Sequence, residues 1–201
     1  MHGHVGFPVH RAYAKLPPQT TFTGRYVLVE PLDAKYIDDL YASLGQPEHY
    51  GLWTYLPAGP FQDKKSFTEA QRKAVGFFSL MRIDLENRVV EIGYIRTTAA
   101  TETFYLTARA VFEDLHFRRL EWKCNDLNNL SKRAAARFGF TAEGVFRQHM
   151  VVKGSNRDTA WFSMIDSEWP ALQDAFAKWL DPLNFDGNGI QRCSLGSFRR
   201  T

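Results

Sequence analysis

The chain has little of what staples small secreted proteins or anchors proteins in a bilayer. Cys124 and Cys193 are its only cysteines in 201 residues, which leaves no disulfide framework and no cysteine-rich metal centre. No apolar run reaches the length of a membrane span, and the opening stretch MHGHVGFPVHRAYAKLPP lacks the apolar core of a secretion signal. A cytoplasmic protein with no membrane partner is therefore expected. A strong charge of one sign is lacking too: 25 Lys and Arg against 22 Asp and Glu leave a net charge of +3. The short basic clusters FRRLEWK, SKRAAARF and SFRRT are interrupted by apolar residues and do not form the stripe a nucleic-acid binder needs. A mild positive charge suits a small anionic ligand instead. His2, His4 and His10 lie in a Gly/Pro-rich leader, read as a flexible segment over residues 1–23 and not as a metal site.

Hydrophobic residues make up 44% of the chain, sixteen Phe and five Trp among them, enough for one domain with a sizeable core. Residues 24–180 carry the periodic segments, and 181–201 read as an irregular, peripheral tail. GRYVLVEPL (Gly24–Leu32) reads as a strand leading to a helix capped at Asp33, with Ile37, Leu40, Tyr41 and Leu44 on one face. LWTYLPAGPF is an aromatic loop, and DKKSFTEA starts a second helix. AVGFFSLMRI and RVVEIGYI make an antiparallel hairpin turning at DLEN. A helix follows from about Thr98 to Leu115, its inner face formed by Phe104, Ala108, Val111, Phe112 and Leu115. Next come the strand RLEWKCN, with Cys124 as a buried thiol, and a short helix stopped by Gly139. A second hairpin turning at SNRD and a helix with Pro170 in its first turn close the domain. This order predicts an α/β (α+β) domain with a mostly antiparallel central sheet flanked by helices.

One stretch points to chemistry. EIGYIRTTAAT passes from a strand into the threonine- and alanine-rich start of a helix. A helix N-terminus offers backbone N–H groups without partners inside the helix and a positive dipole end. Small residues there let a phosphate approach, hydroxyls add donors, and Arg96 adds charge. Thr98 and Thr101 have a structural role open to them as well, as caps.

Taken in order, Arg96–Thr101 with its helix, the strand RRLEWKCN and the segment NNLSKRAAARFGF resemble the GNAT superfamily of acyl-CoA N-acyltransferases. The family's loop motif is Arg/Gln-x-x-Gly-x-Gly/Ala. Here Arg96 keeps the first position, Ala99 replaces the usual Gly, and Thr101 stands at the third. The second signature, Asn-x-x-Ser before a helix ending in Gly-Phe, is present as Asn128, Ser131, Gly139 and Phe140. With EGVFRQHMVVKGSNRDTAWFSMIDSEW, it resembles the branch of ribosomal-protein N-terminal acetyltransferases, the Rim type. Family members carry additional loop residues near Ala70/Gln71 and Ile95/Arg96, so the sequence reads as though loop residues were missing at both junctions.

The resemblance implies a sheet whose two central strands splay around acetyl-CoA, held by Tyr94, Ile95, Arg96, Thr97, Thr98, Ala99, Ala100, Thr101, Asn128, Ser131 and Arg133, with no metal. It implies a backbone N–H near Tyr94 or Ile95 facing the thioester oxygen. It also implies Ser131 beside the CoA sulfur, where the family's tyrosine acid is replaced by Ala135; helix capping is the other role open to Ser131. Glu91 is the candidate base, acting through water; a plain sheet-edge carboxylate is the other reading of it. Trp53, Tyr55, His149 and Trp161 are candidates for the acceptor groove, and a core role is open to each. The expected activity is acetyl transfer to a primary amine, on a small molecule or a protein N-terminus, by a monomer or homodimer. A CoA-binding module without turnover is the alternative. A nucleotide or RNA binder using Arg96, Lys132 and Arg133 is a third reading, which strong salt dependence of binding would mark.

Overall fold

The computed structural model describes residues 9, 12–73, 78–94 and 100–199, without the side chains of 70–73, 78, 79, 93 and 94. The histidines of the leader and the loop residues 95–99 lie outside these. The N-terminal part forms a ribbon of β1 (Phe22–Thr23) and β2 (Leu28–Val29), then α1 (Ile37–Leu44) and α2 (Lys64–Lys73). The strand expected over Gly24–Leu32 is thus only two residues long and stays outside the main sheet. The reason lies in its turn, where the backbone N–H groups of Arg25 and Tyr26 donate to the buried carboxylate of Glu102 at 2.7 and 2.6 Å. Asp33 caps the entry to α1 as expected, accepting from the Lys35 N–H. Leu40, Tyr41 and Leu44 pack on a small core of Trp53, Phe61 and Phe67. α2 runs unbroken through Ala70 and Gln71.

The remaining strands are β3 (Phe78–Asp84), β4 (Val89–Tyr94), β5 (Arg119–Asn125), β6 (Thr141–Val152) and β7 (Ser155–Ile165), in the sheet order β3-β4-β5-β7-β6. Neighbours are antiparallel except β4 and β5. Parallel strands need a crossover, and α3 (Ala100–Arg109), extended by a π turn over Ala110–Asp114, supplies it. Along β5, Leu120, Trp122 and Cys124 face a core shared with α3, α4 (Asn129–Phe138) and α5 (Trp169–Trp179). Phe104 stacks on Phe138 with ring centres 4.4 Å apart and lies 5.5 Å from Phe176, locking the three helices together. Gly139 ends α4 in the left-handed conformation, φ 99°, as its position predicts.

Two expectations change. The β6–β7 hairpin turns at Lys153–Gly154, with φ of 50° and 75°, and SNRD belongs to β7. Both turn residues have positive φ, as the tight hairpin turn requires. Asp158 has a different job: its carboxylate accepts from the Gln148 N–H at 2.7 Å and holds the irregularity between Phe146 and Met150. The C-terminal tail is irregular but not peripheral. Leu195 is buried in the main core, Phe185 and Phe198 pack on it, and the Asn184 amide bonds the Trp179 and Cys193 carbonyls.

Candidate active site

The sheet opens where chemistry was expected. β4 and β5 pair at Val89–Arg119, Val90–Leu120 and Glu91–Glu121, and no further. β4 runs on to Tyr94 held by β3, and β5 runs on to Asn125 held by β7. Beyond Glu91 the two strands are therefore held from outside and unpaired with each other, leaving a wedge lined by backbone N–H and C=O groups. Such groups call for a partner.

The helix starts stand at the open end of this wedge. Ala100 and Thr101 begin α3 and are buried, and the Thr101 hydroxyl accepts from Arg137 of α4 at 2.9 Å. Asn128 caps α4, its side-chain oxygen accepting from the Ser131 N–H at 3.0 Å. The Ser131 oxygen in turn accepts from the Trp122 indole N–H at 3.0 Å. One of the two lone pairs of the hydroxyl is engaged there, and the hydroxyl lies beside Cys124. Burial pushes the Cys124 thiol up, and its hydrogen bond with Ser131 opposes this. Arg133, on the same helix, is exposed.

Glu91 faces away from the helical core, as strand alternation predicts. It is only 2% exposed. Its Oε2 lies 2.9 Å from Lys123 Nζ and 3.7 Å from the Arg82 guanidinium. The close approach to Lys123 is an ion contact without hydrogen-bond alignment, since Oε2 has no hydrogen-bond partner. Both cations also lie over the Trp161 ring, Arg82 at 5.1 Å and Lys123 at 5.3 Å from its centre. Phe146 and His149 meet the same ring, and His149 Nδ1 is 3.0 Å from the Thr159 hydroxyl. Glu91, His149 and Trp161 are thus brought together.

Trp53 is not among them. Its indole is buried between Phe61 and Phe67 and donates to the Leu44 carbonyl at 2.8 Å, which makes it a core residue of the N-terminal module. Tyr55 is half-buried in the following loop. Lys153, at the tip of the β6–β7 hairpin, donates to the Trp53 carbonyl and ties that module to the sheet. Sequence reasoning missed Arg82, Lys123 and Trp122. Alternation from Glu91 along the paired strands could have found Lys123, whereas Arg82 reaches the site from an irregular position with φ 48°.

The fold and wedge define an acyltransferase-like α/β domain, and the comparisons fix the family. The acetyltransferase (GNAT) domain model matches residues 23–141, so the chain belongs to the GNAT acetyltransferase family. A solved GCN5-related N-acetyltransferase from Brucella melitensis is 42% identical, covers 94% of this chain and 98% of its own, and superimposes with a TM-score of 0.89. A Chromobacterium violaceum structure described among "probable acetyltransferases (GNAT family)" is 32% identical over 85% of this chain and 98% of its own, TM-score 0.73. The Bacillus subtilis protein named "Putative ribosomal N-acetyltransferase YdaF" is 30% identical over 100 residues, 47% of this chain and 55% of that protein. The matched stretch thus spans about half the length of that relative. Its name agrees with the Rim-type resemblance of the Asn128–Phe140 segment. Among the described residues no helix is long and apolar enough to cross a membrane, and no metal-binding cluster occurs.

Proposed function

We propose that the protein transfers an acetyl group from acetyl-CoA to a primary amine by direct attack within a ternary complex. The observation that carries this is the wedge, in which β4 and β5 part beyond Glu91 between the starts of α3 and α4. The wedge and the helix starts beside it support this donor. The unpaired edges of β4 and β5 would hold its amide-bearing arm, and the amides at Arg96–Thr101 and α4, with Arg133, its phosphates. Acetyl-CoA supplies an activated thioester; the chain must position it, stabilise the developing oxyanion and handle two protons.

A backbone N–H near Tyr94 or Ile95 would serve the oxyanion; losing one such donor costs on the order of 3 kcal/mol. Ser131 would donate its O–H to the departing thiolate. The Trp122 N–H on its oxygen holds the hydroxyl in place, and its proton would turn from Cys124 to the thiolate. Glu91 would draw the proton from the attacking ammonium through water. His149 and Trp161 would flank the acceptor, with Tyr55 at its approach.

The test is turnover of acetyl-CoA with a panel of amines by wild type and Ser131→Ala. The expected outcome is a kcat lowered by roughly tenfold or more, with acetyl-CoA affinity little changed. Unchanged turnover in the variant excludes the role given to Ser131. One observation favours the alternative of a CoA-binding module without catalysis: Ala135, where the family places a tyrosine acid, is fully buried. Acetyl-CoA binding with no transfer to any amine would select that alternative.

A further inference from the structure

We infer that Lys123 is itself acetylated, its side-chain amine taking the acetyl group of bound acetyl-CoA when no other amine occupies the site. This rests on the transferase reading and adds a modification site to it. Lys123 stands on β5 past Glu121, the last β5 residue paired with β4. Its Nζ nevertheless reaches Glu91 Oε2, on β4, at 2.9 Å. The side chain therefore spans the two strands where they begin to part. That sets a primary amine over the mouth of the wedge argued to hold the thioester. Glu91 is also the group proposed to take the proton of an attacking amine. Amine, base and thioester would thus meet without a diffusional step, the condition for a high effective concentration.

The neighbours of Lys123 leave it able to react. Glu91 Oε2 has no hydrogen-bond partner, so no aligned bond fixes the amine to it. The Trp161 ring, 5.3 Å from Nζ, walls the site. Arg82, the other cation at Glu91, is a guanidinium, which stays protonated and does not attack a carbonyl. Other lysines are committed elsewhere: Lys132 pairs with Asp126 at the start of α4, and Lys153 donates to the Trp53 carbonyl. In the step itself, Nζ forms a C–N bond to the thioester carbonyl carbon and the C–S bond breaks. The ammonium gives up two protons, one through Glu91 to water and one that ends on the CoA thiolate. The products are acetyl-Lys123, now neutral, and free CoA. Glu91 then faces Arg82, at 3.7 Å, without the lysine charge.

The test incubates the protein with acetyl-CoA and no added amine, and maps acetylated lysines by mass spectrometry over time. The Lys123 side chain is 24% exposed, whereas those of Lys64 and Lys178 are 50% and 51% exposed. Uncatalysed acetylation follows exposure and would favour the latter two. The expected result is the reverse, with Lys123 modified roughly tenfold faster or more. Its rate should not depend on protein concentration, and the preference should vanish in urea. Glu91→Gln should slow it by about tenfold or more. Excess CoA should slow Lys123 and spare Lys178, a check that needs no variant. With acetyl-CoA binding shown by calorimetry, three results overturn the inference: no acetyl group on Lys123, a rate no faster than that of Lys178, or a rate constant that rises with protein concentration. Transfer to added amines with Lys123 unmodified would leave the transferase reading standing without it. Failure to bind acetyl-CoA would remove both.

Discussion

Ser131 is held from two sides, by the Asn128 side chain on its N–H and by the Trp122 indole on its oxygen. A hydroxyl whose acceptor capacity is engaged is a better-aimed donor than a free one, which is what a thiolate leaving group needs. Glu91 differs in kind, because its charge is set against Lys123 inside the protein. Glu91→Gln should therefore cost activity by on the order of a hundredfold, as loss of a proton acceptor does. A urea titration would check that the variant is folded, and undiminished kcat/KM would return Glu91 to a structural role. The cysteines give a simpler prediction. Cys193 is exposed and Cys124 buried with its thiol pKa pushed up, so a maleimide should label Cys193 rapidly and Cys124 only on unfolding. Glu143 gives a pH dependence. Ser163 and Arg119 hold its carboxyl below the ordinary range. A depressed carboxyl stabilises the fold at neutral pH and stops doing so as pH falls through its lowered pKa. Urea unfolding at stepped acidic pH should show a shallower loss in Glu143→Gln, and a small one, because the side chain is 44% exposed.

At the scale of elements, α4 is the piece whose ends matter most. Its start presents Ser131, and its end is fixed by Gly139, where an added Cβ would meet Leu172 Cδ2 at 2.5 Å in a left-handed backbone. Gly139→Ala should lower stability by about 1–3 kcal/mol, read from urea unfolding. Asn128→Ala should cost about 1 kcal/mol and disturb the Ser131 donor with it. The Gly139 stop was legible in sequence, because a left-handed cap depends on a few adjacent residues, whereas capping, open to Ser131 by sequence, falls to Asn128. Also legible were the β3–β4 hairpin, the buried face of α3 and the alternation that turns Glu91 away from the core. What was not legible depended on distant partners. SNRD reads as a turn by composition, and only the Gln148 N–H donating to Asp158 across the hairpin ties it into β7. The tail looked peripheral because nothing local marks Leu195 as a core residue. Trp53 belonged to an aromatic loop by sequence, but only the packing of Phe61 and Phe67 assigns it to a core.

For the whole molecule, two cores carry the wedge. The larger locks α3, α4 and α5 onto one face of the sheet, and the smaller builds the N-terminal module, joined to the β6–β7 tip by Lys153 and to α3 by Glu102. The opposite sheet face carries the charges. A wedge between parallel strands persists because each strand is held from its outer side, so the inner edges stay open for a ligand. The account stands or falls on that ligand. The most direct measurement is calorimetric titration of acetyl-CoA into the purified protein and into Asn128→Ala/Ser131→Ala. The account predicts stoichiometric binding to the wild type that weakens in the double variant, where the start of α4 is disturbed. Absence of binding to the wild-type protein would contradict it and leave the wedge without the occupant argued for it.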